Sequence, residues 1–188
     1  MNIQRAEPMN ILVISGSSRQ GSLNTRLAHL VSELRPTDAV SVISDLTRLP
    51  FYDGDLEAAG TPDPVSDLRS AVATADLVVL VTPEYNSTIP GLLANAVDWL
   101  SRPRGESVML GKPVLVLSAS PTPYGASWAA EHLRSVLTHV GAAVSPDGLS
   151  VGSASERLGR ADPDPSVMVT LTELLADHLD REPEALSA

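Results

Sequence analysis

Short apolar runs alternate along the chain with stretches whose apolar residues recur at three- and four-residue intervals. Ile11–Ser15 is a continuous apolar strand, and Asn24–Leu34 has Leu27, Leu30, Val31 and Leu34 at helical spacing. Ala39–Ile43 is short and β-branched, and Val65–Ala75 follows as a helix with Leu68, Ala71, Val72 and Ala75. Leu77–Thr82 is the most apolar strand. Ile89–Ser101 is a helix carrying Leu92, Leu93, Ala96, Val97 and Leu100. Val114–Ser118 is a further strand, and Ala126–Val140 a helix with Ala129, Leu133, Val136, Leu137 and Val140. A weaker strand begins at Ala142–Val144 and runs toward Leu149, and Ser166–Leu179 is a closing amphipathic helix.

Strands that are apolar throughout belong in a parallel sheet covered by helices on both faces. Five of them in one α/β domain predict a flavodoxin-like three-layer α/β/α sandwich of strand order 2-1-3-4-5. That order places a ligand crevice outside the C-terminal ends of the first and third strands. Asp53–Pro64 and Gly148–Pro165 are expected as surface loops, the second the more mobile. Residues 1–8 are expected as a disordered extension, 9–182 as a single domain and 183–188 as a flexible tail.

Composition narrows the chemistry. The 188 residues include no cysteine, which excludes disulfides, thiolate catalysis and iron–sulfur ligation. The net charge of -10 disfavours nucleic acid and anionic membrane surfaces. His29, His132, His139 and His178 form no metal-binding spacing. With no membrane-length apolar run and no signal-peptide segment, a cytoplasmic protein is the expectation.

The candidate chemistry starts at Ser15-Gly-Ser-Ser-Arg-Gln-Gly-Ser-Leu-Asn-Thr25, between the first strand and the first helix. Hydroxyls, loop amides and the positive end of the next helix converge there, which makes an anion site. Gly16 and Gly21 have the spacing of a nucleotide-triphosphate loop, but Ser22 and Leu23 stand where Lys and Ser or Thr are required. Ser18 occupies the second glycine of a dinucleotide fingerprint. A monophosphate remains. The competing reading is a polar turn with Ser22 or Asn24 as helix N-cap.

Gly-Ser-Ser-Arg at 16–19 with Ser22 and Asn24, Pro-Glu-Tyr-Asn-x-[ST]-x-Pro-Gly at 83–91, Asn95-Ala-Val-Asp-Trp-Leu-Ser-Arg-Pro103, and Gly111-Lys-Pro113 followed by Ser-Ala-Ser at 118–120 resemble the NADPH-dependent FMN reductase family. That family includes bacterial quinone, chromate and azo-dye reductases, and the resemblance covers about residues 9–148. It implies FMN in the crevice, with Ser17, Arg19, Ser22, Asn24 and Thr25 on the phosphate. Pro83, Glu84, Tyr85 and Asn86 would lie beside the ring, the amides of Glu84–Asn86 facing its O4 and N5 region. Ser118, Ser120 and Gly125 would flank its other side, the two hydroxyls near N1. The chain departs from the family at Ala126, where many members carry a second glycine after Gly125.

The resemblance further implies hydride transfer from NADPH to FMN, then reduction of a quinone or similar small-molecule acceptor (free FMN, an azo compound, chromate) in the same place, a ping-pong mechanism. A homodimer or homotetramer is expected, because helix 89–101, with Trp99, is apolar on nearly every face and Trp128 lies off the main stripe of its helix. The alternative is a flavodoxin-type FMN electron carrier that does not oxidise NADPH, which the acidity favours. Lys112 and Asp76 fall at the opposite pole of the sheet. Asp98 is expected to be structural or paired across an interface, and His132 and His139 to be exposed helix residues.

Overall fold

A computed structural model describes residues 8–159 and 162–179. Its strands are β1 (Asn10–Ser15), β2 (Ala39–Ile43), β3 (Leu77–Thr82), β4 (Pro113–Ala119), β5 (Ala143–Val144) and β6 (Leu149–Val151). Its helices are α1 (Leu23–Leu34), α2 (Gly54–Ala59), α3 (Asp63–Thr74), α4 (Gly91–Leu100), α5 (Ser127–His139), α6 (Ala154–Arg157) and α7 (Pro165–Leu179). The strands lie in the expected order β2-β1-β3-β4-β5, all parallel, with β6 also on β4.

The two-residue period of the strands sorts the core into two layers. Ile11, Val13, Leu77, Val79, Val81, Leu115 and Leu117 pack with α1 and α7. Leu12, Ile14, Val78, Leu80, Val114 and Val116 pack with α3, α4 and α5. Each such side chain taken from water contributes about 1.5–3 kcal/mol, so the central strands hold the frame from which the loops project.

Four expectations need correction. The fifth strand is broken: β5 pairs with Pro113 and Val114, β6 with Leu117–Ala119. Ser145 still donates to the Val114 carbonyl, but Pro146 has no N–H to continue the ladder. The described residues of Gly148–Pro165 are accordingly no free loop, since they supply β6 and α6 and brace the turn after β4 through bonds of Val151, Ser153 and Ala154 to Ser120 and Thr122. Within Asp53–Pro64, Asp53 caps α2 by accepting from the Asp55 amide at 2.8 Å. Trp99 does not offer surface to another chain. It is 0% exposed; its Nε1 donates to the Pro50 carbonyl at 2.8 Å and Tyr52 packs edge-on at 5.0 Å between centroids. Asn95 pins the same segment, accepting from the Tyr52 amide and donating to the Pro50 carbonyl.

The extension expected over 1–8, Pro8 apart, and the tail over 183–188 lie outside the described residues. Among those described, no helix is long and apolar enough to cross a membrane. Lys112 does sit at the far pole, where its ammonium donates to the carbonyls of Ala73 and Ala75 at the end of α3.

Candidate functional site

The loops after β1, β3 and β4 emerge at one pole because the strands are parallel. The first is tied to β3 by the Gly16 amide, which donates to the Val81 carbonyl at 2.8 Å. A Cβ on Gly16 would stand 2.9 Å from Leu93 Cδ2 and 3.3 Å from Pro83 Cδ, so glycine lets the first and second loops touch. Gly21, at φ +65°, turns the chain into α1, and Ser22 caps that helix by accepting from the Thr25 amide at 3.3 Å. The N-cap reading of Ser22 is therefore met, and it leaves the hydroxyl hydrogen free to donate.

The donors around this loop are the clearest chemical signal. Among the described residues the amides of Ser18, Arg19, Gln20 and Gly21 have no intramolecular acceptor. The first amides of α1 are orphaned by the helix itself. The Thr25 hydroxyl lies 2.9 Å from that of Ser15 and 3.4 Å from the Ser17 carbonyl. The exposed Arg19 guanidinium meets only the Gly21 carbonyl, at 3.3 Å. No Asp or Glu occurs from residue 8 to 32. Unpaired N–H groups, hydroxyls, a guanidinium and a helix dipole, on a segment without a carboxylate of its own, fit a phosphate dianion. A separate cavity of about 460 Å³, lined by Arg102, Arg104 and His139, lies at the other pole. The C-terminal ends of α4 and α5 flank it, and their carbonyls oppose an anion there.

Asn24 behaves differently from its neighbours in the sequence. It is 4% exposed, and its carboxamide makes two hydrogen bonds with Ala119: Nδ2 donates to the carbonyl at 3.0 Å and Oδ1 accepts from the amide at 2.9 Å. It clips α1 to the end of β4 and so joins the first loop to the third.

In the second loop Tyr85 and Thr88 exchange backbone hydrogen bonds, both 3.1 Å, across Asn86 (φ 54°) and Ser87 (φ 61°). Two left-handed residues in succession make this a type I′ turn. The Tyr85 amide is used inside it, which removes it from the expected ring contacts; the amides of Glu84 and Asn86 carry no such bond. Pro83 is buried and Tyr85 exposed. The Glu84 carboxylate accepts from the Ala129 amide at 3.1 Å, and Thr88 Oγ1 meets His132 Nδ1 at 2.6 Å. His132 is exposed as expected, but this partnership, 44 residues apart, has no signal in the sequence.

The third loop is held from beneath. Ser118 is fully buried; its hydroxyl donates to the Gly125 carbonyl at 2.7 Å and lies 2.9 Å from the Ser150 hydroxyl. It shapes the loop instead of facing the crevice. Ser120 shares a hydroxyl contact with Thr122 at 2.9 Å, accepts from the Thr122 amide at 3.1 Å, and donates its own amide to the Val151 carbonyl. Gly125 has φ +63°, and a Cβ there would lie 2.8 Å from the Gly152 nitrogen. The departure from a double glycine is visible at Ala126, held left-handed at φ 62°. Tyr124 and Trp128, 62% and 48% exposed, pair at 5.2 Å between centroids on the rim.

The sequence matches the NADPH-dependent FMN reductase family over residues 9–156. It is 39% identical over 132 residues to a 2-hydroxy-1,4-benzoquinone reductase from Burkholderia sp, covering 70% of this chain and 72% of that protein. A quinone reductase of Escherichia coli (strain K12) is 36% identical over 141 residues, 74% of each chain. Among solved structures, the flavoenzyme NAD(P)H:(acceptor) oxidoreductase FerB from Paracoccus denitrificans superimposes with a TM-score of 0.77. It is 30% identical, with 90% of this chain and 93% of that one covered.

Proposed function

This chain belongs to the NADPH-dependent FMN reductase family, and on that premise we propose that it oxidises NADPH and reduces a quinone-class acceptor in two half-reactions at one bound FMN. The observation that carries the reading is the carboxylate-free first loop with its unpaired amides at Ser18–Gly21. Those amides, the Arg19 guanidinium and the hydroxyls of Ser17, Ser22 and Thr25 would hold the phosphate. Pro83, Glu84 and Asn86 would border the ring on one side. The loop ending in Gly125, shaped by Ser118 and Ser120, would border it on the other. FMN supplies a hydride-accepting and hydride-donating centre when bound, so the protein needs no nucleophile of its own.

The chain's part is to bind, orient and restrict access. The nicotinamide and the acceptor share one opening, with Tyr85, Tyr124 and Trp128 at its rim, so they take turns. Each turnover moves a hydride from NADPH to the acceptor, and a quinone takes its second proton from water at this open mouth. Those rim aromatics also support self-association as a homodimer or homotetramer. A monomer mass in sedimentation equilibrium would refute that part.

The test is the visible spectrum of FMN-loaded protein before and after anaerobic NADPH. Bleaching, then recovery on adding a benzoquinone, is the expected result. Yellow colour that persists with NADPH identifies an electron carrier instead. Double-reciprocal plots should be parallel, and intersecting lines would refute the shared opening.

A further inference from the structure

Helix α5 begins without the side chain that a helix start needs. Its N-cap is Ala126, buried, left-handed at φ 62° and ψ 34°, with no side-chain acceptor, and its first turn contains no acidic residue. The missing acceptor comes from elsewhere. Glu84 Oε2 takes the hydrogen bond of Ala129, the third residue of α5, at 3.1 Å across 45 positions of sequence. A carboxylate at that end also complements the helix dipole.

We propose that Glu84 is a positioning residue: its carboxylate is the N-cap α5 lacks, and through it the 83–88 turn is fixed against the start of α5. The turn moves as one unit, because Tyr85 and Thr88 are bonded to each other across Asn86 and Ser87. Glu84 holds its entry, and Thr88 Oγ1, 2.6 Å from His132 Nδ1 one turn further along α5, holds its exit. The start of α5 is itself anchored. Gly125 is packed on Ser150 and Gly152, and its carbonyl accepts from the buried Ser118 hydroxyl. The strut therefore runs from the turn after β3, through the first turn of α5, to β4 and β6. It sets the spacing of the crevice walls, a consequence that rests on the FMN reading above. A cap that served α5 alone would come from Ala126 or its neighbours and would leave the turn free.

The experiment compares wild type, Glu84→Ala and Glu84→Gln at a temperature where circular dichroism shows each folded. Amide hydrogen exchange at Tyr85 and Thr88 is measured in the protein without FMN, and FMN affinity by fluorescence titration. Glu84→Ala is expected to speed exchange at both amides and weaken FMN binding, each by about tenfold, the equivalent of one lost cap. Glu84→Gln, which keeps an acceptor for the Ala129 amide, is expected to stay within about twofold on both measures. Wild-type exchange at Tyr85 and Thr88 in Glu84→Ala overturns the proposal, and so does a Gln variant as loosened as the Ala variant. Wild-type protein that takes up no FMN sinks the functional reading instead, and the exchange measurements still decide the strut.

Discussion

Replacing Asn24 separates two roles that its place in the phosphate loop confounds. As a ligand to phosphate, Asn24 would matter only when FMN is bound. As a clip to Ala119, it matters to the folded chain itself. Asn24→Ala strips partners from the amide and carbonyl of Ala119, a residue 3% exposed whose two bonds are 2.9 and 3.0 Å. Each buried backbone group left unpaired costs about 1–3 kcal/mol, so with two such groups the variant should lose about 2–6 kcal/mol. With a urea slope of about 2 kcal/mol/M, the unfolding midpoint falls by about 1–3 M. Far-ultraviolet circular dichroism without FMN is the assay, because a ligand that binds only the folded state would mask the loss. Asn24→Asp should be no better than Ala, since its second oxygen faces the Ala119 carbonyl and cannot donate. A wild-type urea midpoint for Asn24→Ala, with the defect confined to FMN affinity, would refute the clip and restore the ligand role.

Arg19→Ala should lower FMN affinity about ten- to a hundredfold without moving the urea midpoint, the range for a charge-assisted hydrogen bond. Titration by flavin fluorescence tests it, and an unchanged affinity rules out the phosphate contact. Gly125→Ala should cost about 2 kcal/mol or more, combining left-handed strain with a Cβ 2.8 Å from the Gly152 nitrogen. Ala126→Gly should stay within about 1 kcal/mol of wild type, because relief of the same strain offsets a lost buried methyl. Thermal unfolding separates the two, and a Gly125→Ala variant as stable as wild type defeats the packing argument. Side-chain and backbone hydrogen bonds from Ser166 hold the Asp164 carboxyl at about 2, against opposing desolvation and with help from Arg157. Folding thus favours the ionised form: its contribution is whole above the ordinary value of 3.8 and is lost as pH falls through 2. A carboxyl chemical-shift titration should find that low midpoint, and a midpoint near 3.8 contradicts it.

The frame of the molecule was legible because its signal is redundant. Leu77–Val81 is apolar at every position and Leu77–Thr82 is buried at every position, and such a run fits the middle of a covered parallel sheet. Helix ends were less exact for a physical reason. α3 begins at Asp63, ahead of Val65, its first buried apolar residue. Polar first turns carry no periodicity. α2 escaped because none of its residues is buried, leaving only Asp53 as an N-cap signal. Trp99 misled in the opposite direction. A helix apolar all round asks for cover, but its sequence does not say whether a neighbouring chain or its own chain provides it. Here Pro50 and Tyr52 do.

The same ambiguity governs the site. Loop positions follow from topology, so the pole at which Ser17, Pro83 and Ser120 meet could be read from strand order. Which way a polar side chain faces could not. Asn24, Glu84 and Ser118 have the chemistry of ligand contacts, yet each is bonded to a backbone group of its own chain, 95, 45 and 7 residues away. What distinguishes the loops is the number of donors left over. The first loop keeps a run of unpaired amides and a guanidinium held only by the Gly21 carbonyl; the second uses polar groups within its own turn and on α5, and the third within itself and on β6. On the proposed FMN reading, charge recognition would concentrate between Ser17 and Thr25, while the other walls would contribute shape. Arg19→Ala should then register as ligand affinity with intact stability, whereas substitutions at Asn24, Ser118, Glu84 or Gly125 should register first in the chain without any ligand present.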